Sequence, residues 1–310
     1  MRDDATPLPA GIQVWERGWL SANNILLDAP DGATLIDSGY GSHASQTLAL
    51  VSRALQGRPL RRLFNTHLHS DHCGGNAALQ QHYPALQTWI PPGHAAAVAA
   101  WDEATLTYLA TGQDCPRFRH DGVLLAGSTW ELGGLTWSIH AAPGHDPHAV
   151  LLFEPTHGVL IAGDALWENG FGVVFPELDG VGAFAEVGQT LELIEQLAPV
   201  CVIPGHGRPF SGTDAVAQAL GRARSRLQQF CDAPQKHLRY ASKVLLKFKL
   251  LQWQRVPEAS FRAWAKQTPY LVQQHRQLSA QDMDAWITEL VQELVASGAA
   301  RLESGWIVNT

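Results

Sequence analysis

Nowhere does the sequence offer eighteen uncharged apolar residues in a row, which excludes a chain built around helices that cross a bilayer. Cysteine is scarce and scattered. Cys73, Cys115, Cys201 and Cys231 form no CxxC pair and are too sparse for a disulfide framework, so reduced thiols are expected. The opening "MRDDATPLPAGIQVW" carries two acids where an export signal needs basic residues and a long apolar run. The expected compartment is therefore the cytoplasm, with no membrane partner. Charged residues make up 16% of the chain against 45% hydrophobic, a balance that argues against disorder. At 310 residues the chain is long enough for one large domain, or a large one and a small one.

Charge is unevenly divided. Residues 1–232 hold 12 Lys and Arg against 23 Asp and Glu, net −11, and residues 233–310 hold 10 against 6, net +4, which together make the formal −7. The change of sign coincides with a change of pattern and predicts a boundary near residues 231–234. Before it, short apolar runs alternate with turn signals: "IQVWERG", "NNILLDAP" and "ATLIDSG" read as strands, with Pro-Asp-Gly at 30–32 making a tight turn. A helix is predicted over 43–55, and "LRRLFNTH" reads as a strand running into a histidine cluster. Strands in "LQTWIPP", "LTWSIHAAPG", "AVLLFEP", "GVLIAGDAL" and "VCVIPG" follow, with helices near 77–83, from 93, over 183–197 and over 214–230. Residues 101–127 fit either a helical insertion or a loop over a site.

After Pro234 the pattern is mainly helical. Leu238, Ala241, Leu245, Phe248 and Leu251 share one face, and Lys236, Arg239, Lys243 and Lys247 another. Further helices are expected at 260–268 and 280–297. The tail "GAARLESGWIVN" reads as a short hairpin, and helices followed by a small hairpin suggest a winged-helix-like domain.

The chemistry lies in "THLHSDHCGG", which places His67, His69, Asp71 and His72 within six positions. In an extended chain His67 and His69 project to the same side, and Asp71 and His72 then turn toward a second position. Divalent metals of zinc type take imidazole and carboxylate, and two neighbouring sites need about seven such groups. The remaining three are His145 in "APGHDPH", Asp164 in "IAGDAL" and His206 in "IPGHG", each released from an apolar run beside a glycine. Gly74 and Gly75 are expected to permit the tight turn into the next helix. Cys73 reads as packing, and Asp37 either supports the site from behind or fixes a turn.

This ordered set, with "LIDSG" before it, resembles the metallo-β-lactamase superfamily across residues 11–232. The resemblance implies an α/β (α+β) fold: an αββα sandwich over residues 1–232, with metals at the edge where strand-end loops meet, and a mainly helical C-terminal domain over 233–310. It implies that His67, His69 and His145 bind one metal, that Asp71, His72 and His206 bind a second, and that Asp164 bridges them. Two divalent ions, zinc by donor type with iron and manganese also accommodated, then share a water and lower its pKa. A bridging hydroxide attacks an ester, thioester or lactone of a small molecule. Asp71 is the expected proton acceptor. His148, three residues past His145, either donates to an oxyanion or leaving group or orients its surroundings. Asp164 stands where thiolate-ligand β-lactamases carry cysteine. The layout is closest to lactamase-beta-like and glyoxalase II-like members, so the alternative is an endoribonuclease that holds RNA on the basic C-terminal domain.

Overall fold

The structure, a computed structural model, describes residues 8–310. Residues 1–7, part of the opening stretch on which the expected compartment rests, lie outside the described residues. Among the described residues, two six-stranded sheets face one another. The first contains β1 (Ile12–Trp15), β2 (Asn24–Leu27), β3 (Ala33–Ile36), β4 (Leu60–Phe64), β5 (Gln87–Ile90) and β6 (Gly122–Val123), in that spatial order. The second contains β7 (Thr129–Leu132), β8 (Leu135–Ala141), β9 (Val150–Glu154), β10 (Val159–Gly163), β11 (Cys201–Pro204) and β12 (Phe210–Ser211), also side by side.

The strands β2, β3, β9, β10 and β11 are buried along their length because both faces of each sheet are covered there. In β2, Ile25 and Leu27 point into the space between the sheets, where they meet Trp137, Ile139, Leu152 and Ile161. The intervening Leu26 points outward onto Val51 and Leu55 of the helix Ala44–Leu55. In the second sheet, Leu160 and Val202 pack outward against Leu191 and Ile194 of the helix Phe184–Leu197. The result is helix, sheet, sheet, helix: the αββα sandwich expected.

Strand direction sets the position of the site. β3 and β4 are parallel, as are β10 and β11, and β8 runs in the direction of β10 because both are antiparallel to β9. The residues that follow β3, β4, β8, β10 and β11 include Asp37, His67, His145, Asp164 and His206, so these residues emerge at C-terminal strand ends. Residues 101–127 hold a four-residue helix, Tyr108–Thr111, and then run without regular structure to β6, bringing Gln113 to the rim of the site.

After the helix Thr213–Asp232, the helix Pro234–Trp253 begins with proline in its first turn, where a missing N–H costs nothing. Its buried Ala241, Leu245 and Leu246 pack with Phe261, Trp286, Ile287 and Leu290, and with Val173 and Leu178 from the preceding part of the chain. The hairpin at the end, β14 (Ala300–Glu303) and β15 (Trp306–Asn309), was expected. It gains a third strand, β13 (Arg255–Pro257), which was not. A helix at Pro269–Leu278 was also missed, because Pro269 reads as a terminator and here opens a new helix. The helix Met283–Ala296 starts later than expected, at Asp282, whose carboxylate accepts from the backbone N–H of Ala285 at 3.0 Å. No helix among the described residues is long and apolar enough to cross a membrane.

His237 ties the two parts together. Its Nε2 accepts from the backbone N–H of Val174 at 3.0 Å, the ring lies among Phe184 and Phe230, and burial lowers its pKa to about 4. The unfolded chain therefore binds more protons than the folded one between pH 6.5 and 4, so this contribution to stability is lost as pH falls through that window. The full difference is on the order of 3 kcal/mol. Urea unfolding at pH 7 and pH 4.5 is expected to show a larger acid loss in the wild type than in His237→Gln, which keeps an acceptor without a titrating ring. Equal losses would show that His237 is not the group responsible.

Candidate metal centre

Seven side chains far apart in sequence converge at the strand ends in two groups. One is His67, His69 and His145, the other Asp71, His72, Asp164 and His206, and within each group the candidate donor atoms lie within 4.8 Å of one another. All seven residues are buried. In the first group, His145 Nε2 lies 2.8 Å from His69 Nδ1 and 3.2 Å from His67 Nε2. Three nitrogens held about 3.3 Å apart are what a tetrahedral zinc with bonds of about 2.05 Å requires. In the second group, Asp71 Oδ2 lies 3.0 Å from His206 Nε2.

Asp164 joins the two groups. One carboxylate oxygen is 3.4 Å from His72 Nε2, and the other is 3.5 Å from His145 Nε2 and 3.8 Å from His206 Nε2. Trp167, three residues on, donates its Nε1–H to Asp164 Oδ1 at 3.1 Å. Gly205 leaves room for this carboxylate: a Cβ there would lie 2.2 Å from Asp164 Oδ1.

Partners outside the cluster choose the tautomers. His72 Nδ1–H donates to Asp37 Oδ2 at 2.8 Å, and His145 Nδ1–H donates to the carbonyl of Val173 at 2.5 Å, which leaves both Nε2 lone pairs facing inward. Asp37 also accepts from Thr66 N at 2.9 Å and Thr66 Oγ1 at 2.8 Å. Its φ of +57° turns the chain out of β3 at the point where the carboxylate must face the site. Asp37 thus both supports the site and makes the turn.

The donor set fits cations. His72 Nε2 is buried without a hydrogen-bond partner. Burial opposes a charge on His72, yet Asp37, Asp164 and Asp71 outweigh it and hold the pKa well above the ordinary histidine value. Burial would raise the Asp164 pKa, but His206 and His72 hold it well below the carboxylate range. Those carboxylates call for positive charge at the centre of the group. In the first group, burial drives His67 well below its usual value and His69 down to about 3, so these imidazoles stay neutral and keep lone pairs for a Lewis acid.

The structure does not bring His148 to the seven. Its ring lies against Gly93 and edge-on to His94, with ring centroids 4.6 Å apart, while its backbone N–H donates to Asp146 Oδ1 at 2.7 Å. Asp146 was overlooked. Its other oxygen faces His69 Nε2 at 3.8 Å, and the signal was its place directly after His145. Gly74 and Gly75 serve space rather than turn geometry: a Cβ on Gly74 would lie 2.4 Å from Gly41 N, and one on Gly75 would lie 2.4 Å from Ser38 O. Cys73 packs beneath the cluster, against the Tyr108 hydroxyl at 3.2 Å and Cys115 Sγ at 3.8 Å, and all four cysteines are free thiols.

Two rings escaped the sequence reading. Trp19, 55% exposed, stacks on His206 with centroids 5.3 Å apart and planes 12° apart, and meets Trp167 edge-on at 5.3 Å. With Phe175 and Phe248 they wall the small pocket over the seven groups.

Two helix-covered sheets carry paired His/Asp groups, able to hold metal ions, at their strand ends. The chain belongs to the metallo-beta-lactamase superfamily, which it matches over residues 17–206. Hydroxyacylglutathione hydrolase of Anaeromyxobacter dehalogenans is 33% identical over 147 residues, 47% of each chain. That of Thermosynechococcus vestitus is 28% identical over 48% of this chain and 49% of its own. The chain spans about half the length of these curated relatives. Among solved structures, a metallo-beta-lactamase family protein from Thermus thermophilus covers 98% of this chain and 100% of its own at 16% identity and a TM-score of 0.59. A beta-lactamase domain protein from Burkholderia ambifaria covers 98% and 94% at 20% identity and a TM-score of 0.58. These two share its fold.

Proposed function

We propose that the chain is a binuclear metallohydrolase of small molecules, acting on a thioester, ester or lactone, with thioesters the first class to test. The observation that carries this reading is the convergence of seven buried donors in two adjoining groups with Asp164 between them. Glyoxalase II-type names among the relatives support the choice of thioester. The proposed ligands are His67, His69 and His145 for one ion, Asp71, His72 and His206 for the other, and Asp164 for both, with zinc the expected metal by donor type.

Two bound cations supply a water of lowered pKa and polarise the attacked carbonyl. The remaining work falls to the chain. Asp37 and the Val173 carbonyl hold the His72 and His145 rings in the productive tautomer. Asp71, whose side chain keeps 12% of its surface open against 6% for Asp164, lies at the pocket floor where its carboxylate can take up a proton. The rings of Trp19, Phe175 and Phe248 exclude bulk water from the pocket. His148 is assigned a positioning part through its N–H to Asp146, so His148→Ala is expected to lower kcat less than about tenfold, against the roughly 10²–10⁴-fold typical of a lost general acid or base. A steady-state comparison with Asp71→Asn checks this: a larger loss from His148→Ala would return the ring to the chemistry.

Residues 1–232 are proposed as the catalytic part and 233–310 as a substrate-side cap. The internal pairing of the basic stripe favours this over an RNA platform: Arg239 bonds Glu289 and Glu293, Lys243 lies 2.9 Å from Glu293, and Lys247 donates to Ala299 O and Asn309 Oδ1 at 2.6 Å each. The test is turnover by zinc-, iron- and manganese-loaded protein on thioesters, lactones, phosphodiesters and short RNAs. Thioester cleavage, read by thiol release, is the expected result. RNA cleavage with no thioester or lactone turnover would overturn the reading.

A further inference from the structure

The pocket over the metal groups is small, but it does not end there. His206, Trp19, Trp167, Tyr240, Val244 and Phe248 line both that pocket and a cleft of about 530 Å³ running between the sandwich and the helix Pro234–Trp253. The volume falls within the range of roughly 300–1,000 Å³ usual for small-molecule sites. The pocket and the cleft share His206 and five other lining residues, so the two spaces adjoin.

The cleft has a definite chemistry. Its walls are aromatic and aliphatic, with the Trp19 indole standing exposed at the entrance. Four cations line it, Arg208, Arg226, Lys243 and Lys247, against one carboxylate, Glu168. Two of the cations are engaged: Lys243 with Glu293, and Lys247 with the chain end. The other two are not held by any carboxylate. The Arg226 guanidinium lies over the Tyr240 ring, 5.6 Å from its centroid, and Arg208 has no ion pair or hydrogen bond among the described residues. Arg226 also bonds the Tyr240 hydroxyl and packs on Gly170, and since a guanidinium carries five N–H donors, others remain for an anion.

We propose that this cleft binds the non-reacting part of the substrate, and that this part is an aryl or alkyl body ending in an anion, carboxylate or phosphate, held by Arg208 and Arg226. The inference rests on the hydrolase reading for the position of the scissile bond. It narrows the substrate from any small thioester or ester to an amphipathic anion, and it gives the helix Pro234–Trp253 the part of a specificity wall.

The test uses the full-length zinc-loaded protein and two sets of probes. The first are uncleavable thioethers with one alkyl body ending in carboxylate, phosphate or neutral N-methylamide, with binding read by tryptophan fluorescence. The second are the matching thioesters, read by thiol release. We expect an anionic thioether to bind at least tenfold more tightly than the amide, with the better of carboxylate and phosphate identifying the anion. In the Arg208→Gln, Arg226→Gln double variant the ratio is expected to close to within twofold. Trp19→Ala, which alters an exposed ring, is expected to weaken anionic and neutral probes alike. Equal binding of anion and amide by the wild type, or a preference that survives the double variant, would overturn the assignment. Thioesters cleaved without regard to the anion would also overturn it while leaving the hydrolase reading standing. A binding preference without cleavage of any thioester would do the reverse.

Discussion

Replacing Asp164 with alanine is expected to cut turnover at least about a thousandfold and to lower the metal content, the largest loss predicted for any single substitution in the protein. Among the seven groups this carboxylate alone approaches His72, His145 and His206, one oxygen facing His72 and the other both His145 and His206. Its negative charge is stabilised by His206 and His72 against the cost of burial, and in the loaded enzyme the cations take over that role. On the proposed assignment, alanine would remove a donor shared by both metal positions and the negative charge that would offset the two cations. Two cations acting together on one electrophile are worth several kcal/mol, and each ~1.36 kcal/mol is a factor of ten in rate. Metal analysis and steady-state kinetics on the same preparation check both parts. Retention of two metals and wild-type kcat would remove Asp164 from the centre.

The next largest effect is expected from Asp37→Ala, a residue placed to touch a ligand rather than the metal. Its carboxylate accepts from His72 Nδ1, Thr66 N and Thr66 Oγ1, all buried, so its loss leaves three donors without their acceptor. Each unsatisfied buried group costs about 1–3 kcal/mol. Removing such a partner of a ligating histidine typically weakens metal binding roughly 10–100-fold. Competition with a chromophoric chelator is expected to show that weakening, confined to one of the two metals, because Asp37 touches only His72 among the seven. Equal weakening of both metals would mean that Asp37 acts through the strand end as a whole and not through one ring.

The seven residues that converge could be read from the sequence because four crowd into one six-residue cluster and the other three are polar residues set beside glycine after apolar strands. Runs such as "VLIAG", with no polar face, pointed to sheets covered by helices, while the αββα sandwich itself was implied by the family resemblance. What escaped depends on contacts between distant segments. Trp19 and Trp167 look like ordinary aromatics until the fold sets them 5.3 Å apart beside His206. The cleft draws its walls from the loop before β2, the turn after β11 and the helix Pro234–Trp253, and no local pattern links those segments. His148 was misleading for the opposite reason. Its spacing from His145 suggested the site, but the turn through Asp146 sends the ring toward Gly93. The basic stripe likewise looked available for an anionic polymer until Glu289 and Glu293, some fifty residues on, were found beside it.

Two metal ions held by these seven side chains are proposed to carry the hydrolysis. That role is tested most directly by elemental analysis of the purified protein, coupled to thioester turnover before and after chelation and after adding back zinc. Two divalent ions per chain are expected, with turnover lost as they are withdrawn and regained as both are restored. Undiminished turnover by metal-free protein would contradict that role.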